Sequence, residues 1–143
     1  MVAMNKFNLF TENLLNGVIN LGSDTLKVLL TNVTPVATNA VLADVSAGDL
    51  GTSHGYTALG TVTTGNTVST SSGTAKFVAV GPVFTASGGS IGPFQYAILY
   101  DTTPTSPLKP LISWYDYGSS ITLLTGETFT VSFDGSAGVF TVA

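Results

Sequence analysis

The chain has 143 residues, no cysteine, no arginine, and four lysines set against eight carboxylates, for a net charge of −4. That length suits one domain with a single core, burying roughly 68–70% of the unfolded chain's surface without help from disulfides. Four scattered lysines exclude direct binding of a nucleic-acid backbone, which needs a cation for every phosphate neutralised.

The first element in chain order is carried by Phe7, Phe10, Leu14 and Val18, spaced by three and four, with Leu15 widening the stripe and Gly17 and Gly22 closing it. This predicts one short helix, an N-terminal arm over residues 1–22 ahead of a single β-sandwich domain over 23–143. The stripe either caps its own sandwich or lies against a neighbouring subunit. The second is favoured, because terminal segments stay poorly ordered unless tied down. After Gly22 the period changes to two. Leu26, Val28 and Leu30 alternate with Thr25, Lys27 and Thr31, and Phe94, Tyr96, Ile98 and Tyr100 are predicted to share one face. Phe129, Val131 and Phe133 alternate in the same way.

Weaker strands are expected around 58–62, 66–71, 74–80, 83–86, 111–117, 120–123 and 139–142, each bounded by Gly, Pro, Asn or Asp. Asp134 to Gly138 reads as a hairpin loop joining the last two strands as antiparallel neighbours, and Leu124 to Glu127 as a further turn. Residues 34–56 form a long excursion loop with at most one helical turn, and loops of that length are functional or ordered by a partner. Pro104, Pro107 and Pro110 stiffen a second loop. Many short strands with frequent turns predict an all-β antiparallel sandwich of jelly-roll type. Mean hydropathy is positive, yet prolines, glycines and hydroxyls interrupt every apolar stretch, so no membrane span is expected. Without a basic n-region and apolar block, the chain reads as a mature, intracellularly made polypeptide.

Chemistry is sparse. His54 is the one histidine, in a Gly-flanked polar loop with Tyr56, and no second histidine or cysteine completes a zinc site. No G-x-S-x-G elbow positions a nucleophile. Asp101, Asp116, Glu127 and Asp134 fall beside turns, where capping explains them, and no calcium-loop ligand run is present. No catalytic residue, metal or cofactor is predicted. Tyr96, Tyr100, Trp114, Tyr115 and Tyr117 cluster in two strands, as core or as a sugar platform; Trp114 and Tyr115 must face opposite ways. The candidate contact residues are Phe7, Phe10, Leu14, His54, Tyr56, Trp114, Tyr115 and Tyr117.

The stretch Leu21 to Asn32, followed by Gly55-Tyr56-Thr57, then Ser87 to Tyr100, Trp114 to Leu123 and Gly126 to Val131, resembles a family of small virion structural proteins of tailed bacteriophages. The resemblance implies a non-enzymatic particle component made in the host cytoplasm. Its expected place is the outer head surface, as a decoration or cement protein bound to the major capsid protein and to itself as a dimer or trimer on a local axis. The competing expectation is a tail or fibre module gripping glycans through Trp114, Tyr115, Tyr117 and the excursion loop.

Overall fold

The apolar run Val28-Leu29-Leu30 is buried at every position, as is Ala97-Ile98-Leu99 on its neighbour. Strands buried on both faces lose the apolar–polar alternation of a half-exposed strand. In the computed structural model, which describes residues 2–143, these runs lie at the centre of a five-stranded antiparallel sheet. Its strands are β1 (Asn5–Lys6), β2 (Leu26–Thr31), β3 (Thr61–Val62), β7 (Ile91–Asp101) and β8 (Leu111–Leu123), in the order β1-β8-β7-β2-β3. Two smaller sheets complete the molecule: β4 (Thr64–Ser71), β5 (Thr74–Val80) and β10 (Phe140–Val142) in the order β10-β5-β4, and β6 (Val83–Thr85) paired with β9 (Thr128–Thr130).

The main core lies between the large sheet and the two small ones. Leu26, Val28 and Leu30 of β2, Leu99 of β7 and Ile112 of β8 meet Phe77 and Ala79 of β5, Phe84 of β6 and Val131. Full burial of side chains this size is worth about 1.5–3 kcal/mol each, so this layer dominates stability. This is the sandwich-like, all-β class expected from the period-2 pattern. The strands divide five, three and two among the sheets.

A second core covers the opposite face of the large sheet. Leu29, Ile98, Tyr100 and Leu111 pack there with Phe7, Leu42 and Val45. Leu42 and Val45 come from the excursion loop, which folds into two 3₁₀ turns, Leu42–Asp44 and Ser46–Gly48. The loop is therefore ordered by its own sheet. Tyr56 anchors its end: the buried hydroxyl donates to Asp49 Oδ1 (2.6 Å) and accepts from the Leu30 amide (3.0 Å), on the β2 edge that the two-residue β3 leaves unpaired.

Three expectations are corrected. The helix α1 spans only Phe10–Leu15, because Asn5 and Lys6 pair with Trp114 and Ser113 of β8 and hold the chain extended before it. Gly17 at φ +70° closes it, with Gly17 N bonded to Leu14 O (3.2 Å) and Val18 N to Asn13 O (2.9 Å) in a Schellman arrangement. Second, Phe94 joins the main core whereas Ile98 and Tyr100 join the second. Register breaks between Phe94 and Tyr96, where the β8 partners jump from Ile121 to Asp116, reverse the alternation. Third, the last two strands are not neighbours: β9 pairs with β6 and β10 with β5. The turn between them does form, with Asp134 Oδ1 accepting from Ser136 N (2.7 Å) and Ala137 N (2.9 Å).

Candidate functional site

The strand β8 is longer than the strand that covers its outer edge. β1 pairs with it only as far as Trp114, and beyond that point Tyr115 and Tyr117 border an open groove of about 580 Å³. Phe94, Gln95 and Tyr96 of β7 supply the floor, the chain from Phe129 to Asp134 one wall, and Val2 to Met4 another. The groove owes its shape to β9, which pairs with β6 and so holds Phe129 across from β8, with Phe133 following beyond the end of β9.

Aromatic contacts fix the lining. Tyr117 and Phe129 meet edge to face at 5.8 Å, Phe129 and Phe94 likewise at 5.0 Å, and Tyr115 tilts against Phe133 at 5.6 Å. Such pairs contribute about 0.5–1.5 kcal/mol beyond their buried area, so the wall is preorganised. Tyr117 remains 51% exposed. Asp116 is tied down beside it: its Oδ1 accepts from Gln95 Nε2 (2.9 Å) and from the Gly118 amide (2.7 Å). At the far end, the two amides bonded to Asp134 hold its carboxyl below the ordinary carboxylate range. Burial raises the Tyr115 hydroxyl, which lies 3.3 Å from Ser113 Oγ.

The other predicted contact residues lie elsewhere. Phe7, Phe10 and Tyr56 are interior, at 0%, 3% and 2% exposure, and are not surfaces a partner can reach. Phe7 is drawn in by β1 and tilts against the half-buried Trp114 at 4.7 Å, while Phe10 packs edge to face on Phe140 at 5.3 Å. Leu14 is partly buried against the main core. His54 is exposed at φ +50°, its carbonyl accepting from Ser87 N (2.8 Å) and its ring lying over Gly89, where a Cβ would collide with it. Trp114 and Tyr115 do face opposite ways, toward the second core and the groove.

Of the predicted residues, the groove gathers only Tyr115 and Tyr117. Phe94, Phe129 and Phe133, which complete it, were readable only as strand positions, because the pairings that bring them to Tyr115 and Tyr117 leave no local pattern. Among the described residues no group of three or more His, Cys, Asp or Glu side chains is placed to hold a metal ion, and no helix is long and apolar enough to cross a membrane. Compared with protein-family models, curated proteins and solved structures, the chain matches none.

Proposed function

We propose that this chain is a non-enzymatic structural protein of a tailed-bacteriophage virion, a decoration or cement protein that docks on the major capsid protein lattice at the outer face of the head. The observation that carries the reading is an aromatic groove on a chain poor in charge, with four lysines and eight carboxylates among 143 residues. The eight residues of β4, Thr-Gly-Asn-Thr-Val-Ser-Thr-Ser, are nearly all exposed, Val68 among them, and Val62, Val80, Val83 and Val142 are exposed on other strands. Hydroxyls and methyls cost less to desolvate than charges, so such a surface suits many repeated lattice contacts. The likeness of Leu21–Asn32, Ser87–Tyr100 and Trp114–Leu123 to phage virion proteins points the same way.

In this role the protein bridges seams between capsid subunits, as a dimer or trimer on a local symmetry axis. A ligand stabilises the state it binds by RT ln(1 + [L]/Kd), so head stability follows occupancy. Particles lacking the protein are expected to assemble yet burst at lower temperature or on osmotic shock, and added protein restores resistance saturably. The second reading, a tail or fibre module gripping host glycans, is favoured by the half-exposed Tyr117 ring beside the Gln95–Asp116 pair, a platform with a polar edge. Depleted particles that stay robust but fail to adsorb to host cells would establish it instead.

A further inference from the structure

The turn before β2 and the end of β7 bring a partly exposed carboxyl, Asp24, up to a buried one, Asp101. Asp101 has no exposed surface. Its Oδ1 accepts from the Thr103 amide (3.0 Å), while its Oδ2 is buried and has no hydrogen-bond donor. Asp24 lies within hydrogen-bonding reach of it and is fixed by its own turn, with Oδ2 accepting from Asn20 N (2.7 Å). A buried acceptor without a donor costs the full desolvation of that atom, and two adjoining carboxylates cannot both ionise cheaply. One proton between them removes both penalties.

We propose that Asp101 keeps a proton taken from solvent and donates it to the Asp24 carboxylate, forming a pH-sensitive latch that ties the Asn20–Asp24 turn to the end of β7. The O–H of one carboxylic acid donates to the carboxylate of the other, and the site as a whole carries one negative charge. The bonds that join the two segments beside it come from groups that do not titrate. Thr25 reaches the loop after β7 through Thr102 N to Thr25 O (2.9 Å), Thr102 Oγ1 to Thr25 O (2.7 Å) and Thr25 N to Thr103 Oγ1 (3.0 Å), and Leu26 pairs with Asp101 in the sheet. Burial first, and then Asp24, push the Asp101 carboxyl up to about 7.

The sign follows from linkage. The folded state holds a proton that the unfolded chain releases near pH ~4, so the latch stabilises fully below that pH and is lost as pH rises through about 7. The turn it releases carries Asn20, Leu21 and Gly22, which border a second cleft with Val68, Phe77 and Phe140. Deprotonation therefore loosens one wall of that cleft.

The test is amide-exchange protection and thermal unfolding between pH 5 and 8 on the whole protein, wild type against Asp24→Asn, with carboxyl ¹³C NMR of the wild type. The carboxamide introduced by Asp24→Asn keeps an acceptor for Asn20 N and offers its own N–H to Asp101, so this variant holds the latch without a titrating proton. Expected in the wild type are a carboxyl titrating above pH 6 and protection at residues 20–25 and 102–104 falling by up to ~10-fold per pH unit between pH 5 and 7, the slope of one proton, and levelling off above that. In Asp24→Asn the fall is abolished. Either of two results overturns the proposal: equal pH dependence in both proteins, or calcium restoring wild-type protection at pH 8 saturably, which would make the pair a cation site.

Discussion

The Tyr56 hydroxyl stands 2.6 Å from Asp49 Oδ1 and replaces a missing strand for the Leu30 amide. Asp49 Oδ2 in turn accepts from Gly51 N (3.1 Å) and Leu59 N (3.0 Å), so one buried phenol and one carboxylate close the excursion loop over the sheet. Removing the hydroxyl leaves a buried donor and acceptor unpaired, at about 1–3 kcal/mol. Tyr56→Phe is expected to lower unfolding free energy by that amount in denaturant titration. An unchanged midpoint would show that the loop is held otherwise.

Alkaline titration probes the same network. Burial, and then the bond to Asp49, push the Tyr56 hydroxyl far above the phenol range, and burial with the Asp49 charge pushes Tyr100 up to about 12. Both are protonated in the folded state, so their stabilisation is present below pH ~10, the unfolded value, and is lost as pH rises beyond it. Ultraviolet titration is expected to show two of the five tyrosines ionising only as the fold opens. All the phenols titrating together near pH ~10 would contradict the burial.

The N-terminal segment belongs to the core. Phe7→Ala and Phe10→Ala are each expected to cost about 3–5 kcal/mol through lost burial and cavity formation. Leu15→Ser, at a position 82% exposed, should stay within about 0.5 kcal/mol of wild type. Deleting the residues before Gly22 is expected to unfold or aggregate the protein. A truncated chain that keeps its thermal transition would restore the view of a detachable arm.

Groove side chains are expected to separate stability from docking. Tyr117→Ala should unfold within about 1 kcal/mol of wild type, since the ring is half exposed, yet bind depleted particles at least about tenfold more weakly, as an aromatic anchor does. Equal affinity would remove the groove from the interface.

Much of this fold was legible because burial writes itself into sequence at short range. β5 runs over Thr74–Val80 as its alternation and flanking turns predict, and Glu127 closes the Leu124 turn through Leu124 N to Oε2 (2.7 Å). What was not legible depends on distant partners. The segments around Val28–Leu30 and Ala97–Leu99 read as strands alternating between a buried and an exposed face, and that residues 42 and 45 of the excursion loop help cover the second face was not visible. The bulge that turns Phe94 away from Ile98, and the choice of β6 over β10 as partner of β9, leave no local periodicity. The same holds for the groove, whose walls meet only through those pairings.

The measurement that bears most directly on the proposed role is an image of the intact particle with this chain located in it. Copies are expected on the outer surface of the head, over seams between major capsid protein subunits, with Tyr117 and Phe129 against the lattice. Density confined to the tail or its fibres, with the Tyr117 groove facing solvent, would contradict it.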